Sequence, residues 1–273
     1  VIDEQHRFGV KQRQELFRKG DRSDILLMSA TPIPRSLSLS FFGDLDISVI
    51  TQMPAGRKEK YSKILNPQQR EHAYSFLMSR IVKGEQGYVI FPVIETSSQQ
   101  DLRSLKKEYK LLKKHVFKAV PTALLHSKVA IDEREKIMTS FNKGEIKVLF
   151  ATSVLEVGID NPGATVLIIE SADRFGLAQL HQLRGRIGRG EKESFCYVIK
   201  SNAGNKKTAA RMELFCRSND GFKISEYDLM LRGPGEFLGT RQAGIPGFKL
   251  AEITKDFKLL RKARRDLLSA DNA

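Results

Sequence analysis

The stretch Tyr88-Val89-Ile90-Phe91-Pro92-Val93-Ile94 is a short apolar run that lies between two longer segments of helical period. In 67–83 and again in 99–116, apolar residues recur every three or four positions, as along one face of a helix. We predict that the inward faces carry Ala73, Phe76, Leu77, Ile81, Leu102, Leu105, Tyr109 and Leu112. The helix–strand–helix pattern indicates a parallel sheet covered by helices.

Five other apolar runs extend this pattern along the chain. We predict strands at Ile25–Met28, Ala123–Leu125, Val148–Ala151, Val166–Ile169 and Phe195–Ile199. A third helical segment covers 131–142, and Asn66, Pro67 and Gly84 are suited to cap the first one. The sequence therefore predicts an α/β fold in which a parallel sheet carries helices on both faces. Ligands of such sheets bind at the carboxyl ends of the strands.

Two changes of pattern predict domain boundaries. The segment Gln52–Lys58 carries Pro, Gly and charge without periodicity, and after Lys200 two short helical segments follow, 206–217 and 222–231. A stiff turn comes next, and the tail from residue 250 onward is typical of a basic amphipathic helix. We therefore divide the chain into 1–52, 53–200, 201–249 and 250–273.

The charge of the chain favours a polyanionic partner. Its 46 Lys and Arg against 32 Asp and Glu give a net charge of +14. Nucleic acid is the commonest partner of such a chain, although a ribosomal or membrane-surface role would give the same charge. Seven basic residues lie in 103–118 against the single acid Glu108. A solvated helix face is the first interpretation of this run, and a DNA-facing patch is the second.

The composition argues against several other classes of protein. No apolar run approaches the roughly 18 residues of a membrane-spanning helix, and the first residues lack the basic start of a signal peptide. The two cysteines, Cys196 and Cys216, are too few for a disulfide framework, so we expect a reducing, cytoplasmic location. Val1–Glu4 has the pattern of a buried strand end and no initiator Met precedes it, so we expect a piece of a longer protein.

The stretch Gln182-Leu183-Arg184-Gly185-Arg186-Ile187-Gly188-Arg189-Gly190 indicates a phosphate clamp. On a helix, Gln182, Arg186 and Arg189 would share one face. The apolar face would carry Leu180, Leu183 and Ile187. Two glycines cost roughly 1 kcal/mol each inside a helix, which suggests that something approaches the backbone closely. Guanidiniums bond oxyanions bidentately and stay charged, but a solvated basic helix face is the alternative.

Three further segments place polar residues directly after predicted strands. Asp3-Glu4-Gln5-His6 holds adjacent carboxylates, which suit nucleotide hydrolysis because one can hold Mg²⁺ and the next can orient water. Ser29-Ala30-Thr31-Pro32 offers small hydroxyls. Thr152-Ser153-Val154-Leu155-Glu156-Val157-Gly158-Ile159-Asp160 offers hydroxyls and backbone N–H groups to a phosphate. Taken singly, these segments are equally compatible with polar strand exits and helix caps.

Taken in order, the segments resemble the motifs of the superfamily-two helicases and translocases. The order is Asp3–His6, Ser29–Pro32, Phe91–Glu95, Leu125–Ser127, Thr152–Asp160 and Gln182–Arg189. The resemblance implies two RecA-like lobes with ATP and Mg²⁺ in the cleft between them. It implies that Asp3 coordinates Mg²⁺ through water and that Glu4 activates the hydrolytic water. It also implies that Arg186 and Arg189 are arginine fingers, which contribute ~10³–10⁵ in rate in phosphoryl transfer.

The same resemblance gives expected roles to the other site residues. Those expected to contact ATP or couple its site to movement are Gln5, His6, Ser29, Thr31, Gly158, Asp160 and Gln182. Those expected to contact DNA are Ser127, Thr152 and Ser153. One departure is Ser127-Lys128, where the family usually has Gly and then a basic residue.

Within the superfamily, the chain resembles the RecG family of branched-DNA helicases. The residues that carry this resemblance are Asp3–Gly9, Ala30–Arg35, Phe175–Arg186, Asn219–Phe222 and Arg232–Gln242. The family's translocation motif is a helical hairpin with a loop, and its key polar residues match Arg211, Arg232 and Gln242. The resemblance assigns 1–52 to the end of the first lobe, 53–200 to the second lobe and 201–249 to the hairpin motif.

The implied function is ATP-dependent remodelling of stalled forks and migration of four-way junctions, near the bacterial nucleoid. The implied partners are branched DNA, the duplex backbone and single-strand-binding protein. A duplex translocase of the transcription-repair coupling type and a non-catalytic DNA-binding module are the alternatives. No Gly-Lys dipeptide occurs, so we expect the phosphate-cradling loop upstream and no ATP hydrolysis by this chain alone.

Overall fold

The computed structural model describes residues 1–2, 26, 28–29, 48–50, 52, 56, 58–92, 99–152, 161–202, 206–232, 259, 262–263 and 266. The chain divides into two compact units. One covers 50–219, and the other is formed by 1–49 together with 220–273.

The unit at 50–219 is built on a six-stranded sheet in which neighbouring strands pair in parallel. The strands are β1 (Lys60–Leu65), β2 (Gln86–Ile90), β3 (Thr122–Leu125), β4 (Val148–Ala151), β5 (Ala164–Ile169) and β6 (Ser194–Ile199). Their order across the sheet is β1-β6-β5-β2-β4-β3. The predicted α/β fold is confirmed, and the five strands predicted within this unit are present.

Helices join or follow these strands. They are α1 (Arg70–Val82), α2 (Gln99–His115), α3 (Ile131–Asn142), α4 (Leu177–Arg184) and α5 (Lys206–Arg217). Short 3₁₀ turns at Pro67–Gln69 and Ala172–Arg174 precede α1 and α4. Asn66 caps the first turn, where its backbone N–H donates to Oε1 of Gln69 at 3.0 Å. Gly84 follows α1 with a left-handed φ of 82°, as a helix-ending glycine should.

The core lies between the central strands and the helices. β2, β4 and β5 are buried along their whole length, as expected for inner strands of a parallel sheet. The predicted inward residues are all found in this core or against it. Buried are Ala73, Leu77, Leu105 and Leu112, and partly buried are Phe76, Ile81, Leu102 and Tyr109.

β1 was not among the strands predicted from apolar runs in the sequence. Its sequence, Lys-Tyr-Ser-Lys-Ile-Leu, mixes polar and apolar residues because the strand forms one edge of the sheet. Helix α5 packs against it, whereas Tyr61 and Lys63 are exposed. Because buried and exposed residues alternate along β1, its sequence contains no continuous apolar run.

β2 begins two residues before the predicted run and ends at Ile90. Its first residue, Gln86, is buried, and its side-chain amide has partners on other elements. Nε2 donates to the carbonyl oxygens of Phe141 at 2.6 Å and Ile146 at 2.7 Å, and Oε1 accepts from Asn161 at 3.3 Å. A polar residue can therefore begin a buried strand because the fold satisfies its hydrogen bonds.

In the other unit, Ile2 pairs with the predicted strand at 25–28. Ile2 N donates to Leu26 O at 2.8 Å, and Met28 N donates to Ile2 O at 2.7 Å. The prediction that the chain begins in a buried strand is wrong, because Val1 is 86% and Leu26 is 56% exposed. Among the described residues, no layer covers this pair. Helix α6 (Gly221–Arg232) belongs to the same unit, and tail residues 259, 262, 263 and 266 are helical.

Because the strands are parallel, their carboxyl ends all lie on one side of the sheet, called the carboxyl edge below. Their amino ends lie on the opposite side, called the amino edge. The six residues of β6 separate the two by about 20 Å. In the part of the chain that the structure describes, no helix is long and apolar enough to cross a bilayer.

Candidate functional site

The helix that carries the Gln182–Gly190 stretch ends earlier than predicted. α4 stops at Arg184, and residues 185–190 form a loop, called the arginine loop below. Gln182 therefore lies on the helix, whereas Arg186 and Arg189 lie beyond it. The prediction that these three side chains share one helix face is wrong. The helix cannot continue through Gly188, because the φ of this residue is 67°.

Two glycines shape the arginine loop for different reasons. Gly188 occupies the left-handed region, which costs other residues roughly 1–2 kcal/mol. A Cβ at Gly185 would lie 2.9 Å from the carbonyl oxygen of Gln182. Between them Ile187 is completely buried and anchors the loop in the core. The close approach to the backbone that the glycines predicted is present at Gly185 and at Gly188. At both glycines the approaching atoms belong to the protein itself.

Both loop arginines are half-buried and lie close to the backbone of the loop. Arg189 Nε donates to the carbonyl oxygen of Gly185 at 3.2 Å. Arg186 N donates to the carbonyl oxygen of Leu183 at 2.9 Å, which forms a turn directly after the helix. The loop thus presents two permanently charged guanidiniums on a backbone fixed at its centre.

The arginine loop lies at the amino edge of the sheet. Nζ of Lys60, the first residue of β1, donates to the carbonyl oxygen of Arg184 at 3.1 Å. Gly190 approaches Pro162, just before β5, so that a Cβ there would be 3.2 Å from the Pro162 carbonyl oxygen. The expectation that ligand-binding residues gather at the carboxyl ends therefore does not hold for this loop.

Two residues predicted to contact DNA lie at the opposite, carboxyl edge. Ser127 follows β3 and is exposed, and Thr152 follows β4 and is buried. Next to Ser127, His126 is buried and its Nδ1 accepts a hydrogen bond from Lys128 N at 3.3 Å. Burial lowers the pKa of His126, and the nearby charge of Lys106 lowers it further. The imidazole is therefore neutral near pH 7, and the positive charge here belongs to the lysines.

The predicted segment Thr152–Asp160 joins these two edges. Thr152 lies at the carboxyl end of β4, whereas Asn161, which follows the segment, lies just before β5. The Asn161 amide is fixed there, because its Nδ2 donates to Phe141 O at 3.2 Å and its Oδ1 accepts from Gly163 N at 2.8 Å. Ser153, Gly158 and Asp160 lie outside the described residues.

Arg184 is a residue of this stretch that sequence reasoning missed. Its side chain is buried, and Nη1 donates to Phe215 O at 2.8 Å and to Ser62 Oγ at 3.3 Å. Nη2 donates to Ser218 O at 2.7 Å. The guanidinium also lies over the Phe215 ring, with Cζ 4.3 Å from its centroid. Arg184 therefore connects α4 with β1 and with the carboxyl end of α5.

The partners explain how this arginine is buried without a carboxylate in the contacts described. The last carbonyl groups of a helix lack partners within the helix and carry partial negative charge, which suits a cation. Burial lowers the pKa of Arg184, but a guanidinium stays protonated in proteins. The missed signal was spacing, since Leu180, Arg184 and Ile187 fall at i, i+4 and i+7 and place the arginine on the apolar face.

Arg211 connects α5 with the other edge of the sheet. Its Nη2 donates to the carbonyl oxygen of Asp173, in the turn after β5, at 2.7 Å. The Asp173 carboxylate accepts from the backbone N and the hydroxyl of Ser201 at 2.6 and 2.7 Å. Helix α5 is therefore bonded near both edges, through Arg211 at one and through the partners of Arg184 at the other.

A partly buried charged cluster at the carboxyl edge was also missed. Arg70 Nε bonds Glu170 at 2.7 Å and Arg70 Nη2 bonds Glu108 at 2.6 Å. The Tyr74 hydroxyl donates to the Glu170 carboxylate. Burial raises the pKa of Tyr74 and the charge of Glu170 raises it further. The cluster fixes α1 and α2 to the strand end that carries Glu170.

The remaining predicted residues lie at or beyond the limits of the described structure. Ser29 is described and is exposed, and Arg232 ends α6 without a described side chain. Outside the described residues lie Asp3, Glu4, Gln5, His6, Thr31 and Gln242. Among the described residues, no three His, Cys, Asp or Glu side chains form a group that could hold a metal ion.

Two family descriptions match most of the chain between them. The family described as helicase conserved C-terminal domain matches residues 69–191. The family described as ATP-dependent DNA helicase RecG, domain 3, C-terminal, matches residues 218–272.

Whole-sequence relatives point to the same family. The chain is 46% identical over 271 residues to the ATP-dependent DNA helicase RecG of Thermotoga maritima, covering 99% of this chain and 35% of that protein. It is 47% identical over 273 residues to the protein of the same name from Aquifex aeolicus, covering 97% and 34%. The chain therefore spans about a third of the length of the curated relatives it matches.

A solved structure agrees with these matches. The structure of RecG bound to a three-way DNA junction aligns with a TM-score of 0.72 at 42% identity, covering 95% of this chain and 33% of that one. This match confirms the RecA-like fold of a helicase carboxyl-terminal lobe, with a six-stranded parallel sheet. Sequence, family and fold lead to one conclusion: the chain belongs to the RecG family of ATP-dependent DNA helicases.

Proposed function

We propose that this chain is the part of a RecG-type helicase that completes the ATP site and transmits the energy of hydrolysis to DNA movement. The observation that carries the proposal is the arginine loop. It holds Arg186 and Arg189 on a backbone anchored by buried Ile187, and it lies beside Pro162, just after the Thr152–Asp160 segment. The loop therefore lies next to the residue pair Asn161–Pro162, which follows the second predicted ATP-contacting segment in the sequence.

The chemistry of the loop fits phosphoryl transfer. In the transition state, negative charge spreads over the oxygens of the transferred group, and a guanidinium can donate to them without losing its proton. We assign this role to Arg186 and Arg189, with Gln182 on the last turn of α4 beside them. ATP supplies the phosphoanhydride bond. The donor-only chemistry of the loop suits phosphate, whereas Mg²⁺ is assigned to Asp3, through water, with Glu4 as activator of the attacking water.

The carboxyl edge supports a role in DNA binding. Ser127 and Lys128 are exposed there and Thr152 lies at the end of the neighbouring strand. We propose that the DNA backbone binds at this edge and that Ser153 also contacts it. ATP contacts or coupling are assigned to Gln5, His6, Ser29, Thr31, Gly158 and Asp160.

Coupling is assigned to α5 and the segment after it. Arg211 on α5 belongs to the proposed translocation motif, with Arg232 and Gln242. The carboxyl end of α5 is bonded by Arg184, the residue that directly precedes the arginine loop. A displacement of the loop would therefore reach α5 through a single buried side chain. The proposed domains are 1–52 for the end of the first lobe, 53–200 for the second lobe, 201–249 for the translocation motif and 250–273 for the tail helix.

The proposed substrates are stalled forks and four-way junctions. We propose that the protein moves along the sugar-phosphate backbone of the duplex. Support comes from the relatives, which are named ATP-dependent DNA helicases, and from the solved RecG, which is bound to a three-way junction. We also propose action in the bacterial cytoplasm, near the nucleoid, with single-strand-binding protein as a partner.

The substrate proposal is tested by the ATPase activity of the intact parent protein on a model fork, a four-way junction and plain duplex. We expect the branched DNAs to stimulate ATP hydrolysis more strongly and to be unwound. Equal stimulation by plain duplex without unwinding would identify a duplex translocase instead.

The finger assignment is tested by Arg186→Lys and Arg189→Lys in the same protein. Lysine keeps the charge but loses the bidentate fork, so we expect kcat to fall about 10³-fold or more while nucleotide affinity changes much less. Arg217→Lys is the control, because the Arg217 side chain is 79% exposed on α5. Unchanged kcat in both loop variants would show that neither loop arginine acts on the transferred phosphoryl group.

A further inference from the structure

Helix α2 carries a row of exposed cations that the proposed ATP and DNA contacts do not use. The row consists of Arg103, Lys107, Lys110 and Lys114, which are all exposed and are called the basic stripe below. Their spacing of four, three and four residues keeps them on one face of the helix. The buried residues Leu105 and Leu112 hold the opposite face against the core.

Glu108, the acid in the middle of α2, does not neutralise the basic stripe. Glu108 is bonded to Arg70 in the partly buried cluster, with 2.6 Å between Oε1 and Nη2. Among the described residues, none of the four stripe residues forms an ion pair. An ordinary solvated helix face mixes charges of both signs, whereas like charges at these spacings destabilise a helix by roughly 0.2–0.5 kcal/mol per pair.

Helix stability does not explain the stripe. Cations stabilise the last turn of a helix through its dipole, and this accounts for Lys113 and Lys114 at the end of α2. The effect fades within one turn, so it leaves Arg103 and Lys107 in the first half of the helix without a stabilising role. A bound polyanion would remove the repulsion.

The basic stripe is continuous with the loop after β3. The Tyr109 hydroxyl lies 3.3 Å from the Thr122 carbonyl oxygen and 3.1 Å from its Oγ1, so that side of α2 lies over β3. Lys106 lies on the same side, and its charge acts on His126 at the end of that strand. Lys128 is exposed two residues further on. The helix and the loop therefore form one basic surface on this lobe.

We propose that the basic stripe of α2, continued by Lys128, is a second binding surface for the sugar-phosphate backbone of duplex DNA. The proposal rests on the proposed DNA-dependent function and adds helix α2 as a further place where the lobe holds duplex. Lys114 lies 11 residues after Arg103, so the stripe extends about 16 Å along the helix, a length over which duplex DNA carries roughly ten phosphate charges. Exposed lysines and an arginine along one helix face suit phosphate contacts that carry no sequence preference.

The test is binding of the chain to fluorescent duplex DNA, measured by anisotropy between about 50 and 200 mM salt. In the stripe variant, Arg103, Lys107, Lys110 and Lys114 are all changed to Gln. We expect its affinity to be roughly tenfold to a hundredfold weaker at about 100 mM salt, and the slope of log K against log salt to fall by roughly 2 to 4.

Two matched variants control for net charge and for folding. The first changes the exposed lysines Lys83, Lys136, Lys143 and Lys192 to Gln, which removes the same charge elsewhere. The second keeps the stripe charges through Arg103→Lys with Lys107→Arg, Lys110→Arg and Lys114→Arg. We expect both to keep the affinity within about threefold and the salt slope within about 1 of the original chain.

The outcomes separate this proposal from the proposed function. If the stripe variant binds like the first control, the stripe proposal is wrong while DNA binding by the chain stands. If the original chain itself does not bind duplex DNA, both proposals fail. If only the stripe variant is weakened and loses salt slope, the second surface is established.

Discussion

The Arg184 guanidinium holds three elements together because it is carried by α4 and its donors reach acceptors on β1 and at the end of α5. Two of these acceptors, Phe215 O and Ser218 O, lie at the carboxyl end of α5. Replacing the arginine would leave these carbonyl groups without their partner inside the protein. A buried acceptor that loses its donor costs about 1–3 kcal/mol.

We therefore expect Arg184→Ala to lower the free energy of unfolding by about 2–4 kcal/mol, measured by denaturant titration. The control is Arg217→Ala, whose side chain is 79% exposed and makes only a 3.7 Å contact with Glu213. We expect that control to change stability by less than about 0.5 kcal/mol. Equal effects of the two variants would show that the buried hydrogen bonds contribute little.

Cys196 gives a dependence of stability on pH. Burial raises the pKa of Cys196 to about 12, whereas a thiol in an unfolded chain titrates near about 8.5. The folded protein therefore keeps this proton where the unfolded chain loses it. The contribution is fully present below the unfolded pKa and is lost as pH rises toward the folded one.

We expect the unfolding free energy of the chain to fall by about 1–2 kcal/mol more than that of Cys196→Ala between about pH 8 and pH 10. Tyrosines and lysines titrate in both proteins, so the difference between the two isolates the thiol. Parallel pH curves would mean that the thiolate is not excluded from the fold. The same burial should make Cys196 react slowly with alkylating reagents until the chain unfolds.

At the scale of elements, the arginine loop depends on Gly188 for its backbone. Its φ of 67° falls in the left-handed region, and a Cβ would meet Lys60 Cε at 2.9 Å. Gly84 has a similar φ of 82° but open space around it. The two glycines therefore share the conformational cost and differ in crowding.

We expect Gly84→Ala to lower stability by roughly 1–2 kcal/mol and Gly188→Ala to lower it by at least as much. Thermal unfolding of the two variants measures the difference. In the intact parent protein, only Gly188→Ala should also lower kcat, because it displaces the backbone between Arg186 and Arg189. Equal kcat in both variants would argue against a catalytic role for the loop backbone.

Elements were predictable from the sequence where burial is uniform. Central strands such as β4 and β5 are buried throughout, so they appear as apolar runs. β1 was missed because an edge strand mixes polar and apolar residues. The burial of Arg184 was missed because the residue looks like part of a basic face, whereas its partners lie 31 and 34 residues away. No local pattern reports such distant partners.

On the scale of the whole molecule, the net charge of +14 favours binding to DNA without regard to sequence. A protein that neutralises several phosphates releases counterions, so its affinity falls with added salt. The motif order indicated a DNA-acting motor, but neither charge nor motif order could show that Arg186 and Arg189 lie at the amino edge of the sheet whereas Ser127 and Thr152 lie at its carboxyl edge. That separation follows from strand direction and from the path of the chain after β5.

We expect the affinity of the chain for duplex DNA to fall by about 10³-fold or more between about 50 and 200 mM salt. Two duplexes of unrelated sequence should bind within about threefold of each other, because phosphate contacts carry no sequence information. An affinity that does not change with salt concentration would show that the net positive charge of the chain does not contribute to DNA binding.

The distance between the two edges also has a genetic consequence. The arginine loop and the edge that carries Ser127 and Thr152 are separated by the length of a strand, about 20 Å. Random mutagenesis of the parent gene should therefore yield two kinds of separation-of-function allele, one that binds junctions without turnover and one that hydrolyses ATP without moving DNA. Alleles that lose both activities with the fold intact should map mainly to α5 and Arg184, which connect the edges.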